Sequence, residues 1–184
     1  FITATMTRVR IGTVAVDPRV IPYGTRMFII TNDGAYVYGA STAEDCGVAL
    51  AMENQGNPDY LDLVFAQLAS PQLKFCYDSG HENYFSPQRD LLADYGPLLA
   101  ALHLHDNNGT SDWHTAPYTC IGGAYYSTDW EGLLQGLDEI GYRGTLNFET
   151  FRATKGLPRR LQREMLHYIA EVGRYFRDRI TEEA

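Results

Sequence analysis

The sequence predicts an α/β protein of four βα units preceded by a small β-rich segment, and three observations lead there. From residue 48 onward, short apolar runs of strand type alternate with apolar stripes at helical spacing. Polar residues close those runs at Glu53, Asp78 and His103, each 25 residues after the last, a repeat that fits one strand, one helix and two loops. Before residue 48 the chain is different, with β-branched and aromatic runs and no helical period. The expected division is therefore 1–47 and 48–184.

In the first segment, Ile2 to Met6, Thr13 to Val16, Arg26 to Ile30 and Ala35 to Tyr38 read as short strands. Turn signals at Asp17-Pro18, Pro22-Tyr23-Gly24 and Asp33-Gly34 divide them, and the last suggests a hairpin because glycine tolerates the positive φ of a tight turn. The second segment opens with the run Val48 to Glu53. Asn57-Pro58 starts a helix whose stripe is Leu61, Val64, Phe65 and Leu68. Leu73 to Asp78 is the next strand, and Asp78-Ser-Gly-His81 reads as the loop leaving it. Ser86-Pro87 opens a helix carrying Leu91, Leu92 and Tyr95, closed by Gly96. After the run Leu98 to His103, Thr128-Asp-Trp-Glu131 has a capping-box pattern ahead of Leu133, Leu134, Leu137 and Ile140, with Gly141 as terminator. Thr145 to Glu149 is the fourth strand, and Pro158 begins a long helix with Leu161, Met165, Ile169, Val172 and Phe176 on one face. Right-handed crossovers between parallel strands place the helices outside a curved sheet, giving half a barrel. A complete eight-stranded barrel needs about 250 residues, more than the 184 present. Open strand edges must be covered, and pairing of two copies into a homodimer is the expected solution.

A formal charge of −8 offers no basic patch for a phosphate backbone, so nucleic acid is not an expected partner. No run reaches the length of a membrane span and the N-terminus lacks signal-peptide features, so the chain reads as soluble and cytoplasmic. Cys46, Cys76 and Cys120 are odd in number and share no metal-type spacing, which reads as reduced thiols.

Glu53, Asp78, His103 and Glu149 stand at the ends of parallel strands, so they meet at one rim. Three carboxylates and an imidazole on one rim look like a divalent metal site. His81 follows Asp78 by three positions, and strand alternation puts His103 and His105 on one side with Leu104 opposite. Asp112 and His114 lie in the loop beyond. Asp106 and Asn107 are expected to stabilise that loop, and Trp113, Tyr125, Tyr126 and Trp130 to pack.

These motifs, Ala51-Met-Glu53-Asn54, Asp78-Ser-Gly-His81, His103-Leu-His-Asp106-Asn107, Asp112-x-His114, Gly141-Tyr-x-Gly144 and Asn147-Phe-Glu149, closely resemble the xylose-isomerase-like superfamily of TIM barrels. The resemblance implies the C-terminal half of such a barrel over residues 48–184. It implies that Glu53, Asp78, His103 and Glu149 hold one divalent ion, of manganese, cobalt, magnesium or zinc. It also implies that Glu53 and Glu149 exchange a proton beside the carbonyl of a small sugar, as in isomerases and epimerases, with His81 touching substrate oxygens. Asp112 and His114 match positions that bind additional zinc in the endonuclease branch. That branch also needs histidines from the first half of the barrel, which this chain lacks.

The opening segment resembles something else. Gly12-Thr-Val-Ala-Val-Asp17-Pro-Arg-Val-Ile-Pro22-Tyr-Gly-Thr25 and Ala43-Glu-Asp45-Cys-Gly47 are similar to part of the three-aspartate (3D) domain of bacterial cell-wall proteins, a double-psi β-barrel. The chain departs from that pattern before a third aspartate. Asp62 resembles the missing motif but falls in a helical stripe, and reads as a solvated helix residue. Two part-folds joined near residue 47 fit a natural fusion, an engineered chimera or a generated sequence. One alternative reading is thus a chimera without catalysis; the second is a cell-wall glycan hydrolase working through Asp17 and Asp45.

Overall fold

The computed structural model describes residues 6, 13–30, 37–45, 50–68, 70–120 and 128–181. The chain divides into two compact units, Phe1–Leu50 with Ser70–Gln72, and Ala51–Ala69 with Leu73–Ala184.

The first unit holds a three-stranded sheet of β1 (Thr13–Ala15), β2 (Arg26–Ile30) and β3 (Val37–Asp45), in the order β1-β3-β2. β1 runs parallel to β3 and β2 antiparallel to it. The Asp17-Pro18 turn forms, with Asp17 O accepting from the amides of Val20 and Ile21, and Gly24 takes the positive φ of 82° that the Pro22 turn requires. β3 is longer than the expected Ala35–Tyr38 strand, because Gly39, Ala40 and Ser41 continue the pairing with β2 through backbone bonds that their small side chains do not advertise. The Asp33-Gly34 turn, Cys46 and all of the expected Ile2–Met6 strand except Met6 lie outside the described residues.

The second unit is an α/β partial barrel. β4 (Leu50–Glu53), β5 (Leu73–Asp78) and β6 (Leu99–His103) form one sheet in that order, and β5 pairs with β6 in parallel so that Asp78 stands opposite His103. The expected fourth strand is reduced to one parallel bridge between Leu104 and Phe148. There the amide of Leu104 donates to Asn147 O (2.8 Å) and the amide of Glu149 donates to Leu104 O (3.0 Å), which brings Glu149 to the rim. β5 is buried on both faces along almost its whole length, as a central parallel strand should be.

Helices cover the sheet. α1 (Asp59–Gln67) buries Leu61, α3 (Leu91–Tyr95) buries Leu91, Leu92 and Tyr95, and α4 (Trp130–Glu139) buries Trp130, Leu133, Leu134 and Leu137. α5 (Arg159–Thr181) buries Ile169, Val172, Phe176 and Ile180. All of these side chains except Ile169 share one core with Phe75, Tyr77, Leu102 and Leu104 of the sheet. The stripe on α5 is buried only from Ile169 onward, since Leu161 is exposed. Asp62 is exposed on α1 and pairs with Arg89.

Three local readings are corrected. Asp78-Ser-Gly-His81 is not a loop: α2 (Ser79–Phe85) follows β5 directly, because the Asp78 side chain accepts from the His81 amide and so caps the helix. Ser86-Pro87 does not open α3. That helix starts at Leu91 under the cap of Asp90, and Gly96 continues into a single 3₁₀ turn, Gly96–Leu98. α4 is capped by Asp129 rather than Thr128: the Asp129 side chain accepts from the Gly132 amide. Gly141, at φ 66°, ends α4 as expected.

Candidate metal centre

The sheet brings the four expected ligands together. Glu53, Asp78, His103 and Glu149 each offer one ligand atom, and those atoms lie within 4.8 Å of one another. His103 Nδ1 sits 2.7 Å from Glu53 Oε1 and 3.5 Å from Glu149 Oε1. Gln55 Nε2 donates to the other Glu53 oxygen (2.7 Å) and orients it.

Asp78 is the buried member. Its Oδ1 is occupied by the helix cap, while its Oδ2 has no hydrogen-bond partner although fully buried. A buried carboxylate oxygen left unpaired is costly unless something binds it, and an oxygen-rich set with one imidazole suits a hard or borderline divalent cation. The residues present therefore fit a metal ion. Burial pushes the Asp78 carboxyl up, but His105 and His81 beside it outweigh that and hold it below its ordinary value.

The elements fix these positions tightly. Asn54, one residue past β4, exchanges two hydrogen bonds with the Asp78 backbone, and its carbonyl lies 2.9 Å from His81 Nδ1. His81 is in the first turn of α2, almost buried, with Nδ1 3.7 Å from Glu53 and Nε2 3.5 Å from Asp112.

A second cluster lies alongside. His81, His105, Asp112 and His114 also present ligand atoms within 4.8 Å of one another. His114 Nε2 is 3.1 Å from Asp112, and His114 Nδ1 lies 2.9 Å from Glu149 O. His114 adopts a positive φ of 49°, a strained conformation that collects at functional positions. The loop carrying Asp112 and His114 is closed at its base by paired backbone bonds between Asp106 and Thr115. Asn107 and Asp106 organise the loop: Asn107 donates to Gly80 O and accepts from Gly109, while Asp106 accepts from Cys120 and Thr128.

His105 is the member the sequence did not single out as a ligand. It is fully buried on the polar side of Leu104, stacks on His114 with ring centroids 3.8 Å apart, and has Nε2 3.0 Å from Asp78 Oδ1 and 3.5 Å from Asp112 Oδ1. Burial lowers its basicity, but the Asp78 and Asp112 carboxylates outweigh that and raise it above the ordinary imidazole value. Its recurrence two residues after His103 was the available signal.

Other expected residues stand apart. Asp17 is turned onto Arg19, which donates to both of its oxygens, and that pairing lowers its pKa to about 2. Asp45 ends β3, and its side chain lies outside the described residues, as do Tyr125 and Tyr126. Trp130 is core and Trp113 is exposed. Cys76 and Cys120 are free, and burial pushes the Cys76 thiol up to about 12. Among the described residues no helix is long and apolar enough to cross a membrane.

The chain belongs to the xylose isomerase-like TIM barrel family, whose model matches residues 38–172. Residues 12–56 match the 3D domain. An uncharacterized protein of Sinorhizobium fredii, y4fM, is 34% identical over 96 residues, covering 50% of this chain and 29% of the relative. The uncharacterized protein MJ1311 of Methanocaldococcus jannaschii is 30% identical over 118 residues, covering 58% and 38%. Among solved structures, a D-tagatose 3-epimerase-like protein is similar at 23% identity and a TM-score of 0.47, over 70% of this chain and 49% of that one. The 3-keto-D-glucoside 4-epimerase YcjR of E. coli is similar at 17% and 0.49, over 68% and 46%. The chain thus spans less than half the length of each of these relatives.

Proposed function

We propose that this chain is a metal-dependent isomerase or epimerase of small sugars, acting by proton transfer next to a carbonyl. The observation that carries the reading is the convergence of Glu53, Asp78, His103 and Glu149 at the ends of neighbouring strands, with one buried Asp78 oxygen unpaired. Membership of the xylose isomerase-like family supports a sugar as substrate.

Glu53, Asp78, His103 and Glu149 would hold the ion, which when bound supplies Lewis-acid polarisation of a substrate carbonyl and its neighbouring hydroxyl. The chain's own part is proton handling. Glu53 and Glu149 flank His103 and remain partly exposed, so their carboxylates are reachable by a ligand seated on the rim. One carboxylate takes the proton from the carbon beside the carbonyl and the other returns one, and Gln55 keeps Glu53 aimed for this exchange. Asp78, buried and capped onto α2, is an anchor rather than a base.

The test is deuterium exchange. Protein loaded with manganese, cobalt, magnesium or zinc is incubated in D2O with a panel of ketoses and aldoses. Label is expected at the carbon beside the carbonyl of at least one sugar, and Glu149→Gln is expected to slow its entry by about 100-fold or more. A metal-loaded protein that labels none of the sugars refutes the reading.

A further inference from the structure

The strand positions of the second unit form an arc with two free ends. In the sheet order β4-β5-β6, β4 pairs on one side only among the described residues. Its run is apolar up to Glu53, yet no residue of β4 is fully buried, whereas β5 is buried along almost its whole length. At the other end, the bonds to Leu104 use the Asn147 carbonyl and the Glu149 amide, so alternation turns the Phe148 amide and carbonyl to the far side. Neither bonds to another described residue. Four βα units are half of the eight that close a parallel barrel, and closure removes both edges.

The helices beside those two edges are bare on the matching flanks. α5 meets α4 through Tyr175 and Arg179, which both donate to Glu131, and Tyr168 on the same flank donates to Pro117 O. The flank turned away from α4 carries Arg159, Arg163, Leu166 and Ala170 at i, i+4, i+7 and i+11. All four are exposed, Leu166 by 57%. α1 meets α3 through Asp62, which accepts from the Tyr95 hydroxyl, and through Phe65, whose ring lies 5.1 Å from that of Tyr95. Turned away from α3 are Leu63, 50% exposed, and Gln67, with Asp59 one turn before Leu63. Each helix starts where its strand reaches the rim, so Arg159 and Arg163 on α5 stand at the height of Asp59 on α1. Among the described residues, none of these three charges forms an ion pair.

We propose that two copies of this chain close one eight-stranded parallel barrel, the Phe148 segment of each pairing with the partner's β4 and α5 lying beside the partner's α1. Leu166 then packs on the partner's Leu63, and Arg159 and Arg163 face the partner's Asp59. Bare apolar flanks meet, and opposite charges meet at the same level. A two-fold axis along the barrel makes the two seams identical, so the assembly stops at two copies. A homodimer is already the expected way to cover the open edges; what is added is the seam, its residues and a single mouth shared by both carboxylate rims. The pairing does not require the rim to be catalytic.

The test is sedimentation equilibrium of the full chain, with circular dichroism as the check on folding. A mass twice that of the chain is expected. Leu166→Glu alters an exposed side chain, so it should keep the parent spectrum and weaken the dimer by about 30-fold or more. Charge reversal then tests the seam itself. A chain carrying Arg159→Glu and Arg163→Glu, and a second chain carrying Asp59→Arg, should each dimerise poorly alone, because like charges meet at both seams. Mixed, they should form a heterodimer in which both seams are again complementary. Oxidation of a chain carrying Leu63→Cys and Leu166→Cys should give a covalent dimer that neither single variant gives. A chain that stays monomeric when concentrated overturns the proposal and leaves the first unit as the cover for the edges. Assemblies larger than two copies, a dimer untouched by Leu166→Glu, no gain on mixing, or covalent linkage through Leu166→Cys alone overturn it as well. A failed sugar screen on a dimer that passes these tests would sink the isomerase reading and leave this one standing.

Discussion

Asn54 and Asp78 exchange two hydrogen bonds, from the Asp78 amide to Asn54 Oδ1 at 2.7 Å and from Asn54 Nδ2 to the Asp78 carbonyl at 2.9 Å. The side chain of one strand end thereby stands in for the next rung of the sheet, at the point where Glu53 and Asp78 turn into the rim. Both residues are buried, so neither backbone group has water as a substitute. Asn54→Ala would leave two buried groups unpaired, at about 1–3 kcal/mol each. Urea denaturation of the metal-free protein should show a loss of that order, and calorimetry a weaker affinity for the rim ion.

Gly80→Ala is expected to destabilise the protein despite improving helix propensity. The added Cβ would lie 1.9 Å from His105 Cε1, and that ring has no room to retreat because it is buried and stacked on His114. Overpacking of this kind costs about 1–3 kcal/mol, which thermal unfolding would detect.

Glu82 gives a pH dependence separate from the ligands. Burial raises its pKa, although the Tyr77 hydroxyl and the Leu91 amide bond its two oxygens. A carboxyl with a raised folded pKa prefers the protonated form in the fold. Its contribution is therefore fully present below about pH 4.5 and is lost as pH rises through the raised value. Glu82→Gln should flatten that part of the stability profile, measured as the difference in urea midpoint between the two proteins from pH 4.5 to 8.

Phe176 carries the packing of α5 onto the fourth strand position. Its ring lies 5.9 Å from Phe148, next to Glu149, and 5.2 Å from Trp130 of α4. Phe176→Ala is expected to cost about 3–5 kcal/mol. Because Phe148, next to Glu149, loses its backing, binding of a divalent ion at the rim should weaken, which cobalt titration measures.

Much of this arrangement is legible in the sequence, for a physical reason. A polar residue that ends an apolar strand run must sit at a sheet rim, so Glu53, Asp78, His103 and Glu149 announce a shared position before any coordinates exist. What could not be read depends on side chains replacing backbone. Asp78 caps α2 and so removes the loop expected at Asp78-Ser-Gly-His81, and the cap that Asp129 provides to the Gly132 amide moves the start of α4 by one residue. Thr145–Glu149 has strand composition, yet only one bridge forms. His105 was visible as a neighbour of His103, but its burial against Asp78 and His114 follows from tertiary packing that no local period encodes.

The paired bonds between Asp106 and Thr115 have an evolutionary consequence. They are mainly backbone bonds, so the excursion they close is anchored without regard to the residues it contains. Asp112 and His114 therefore sit on a detachable cassette. Substitutions within those few positions can change the groups presented beside the rim while the rim carboxylates, borne on other strands, stay in register.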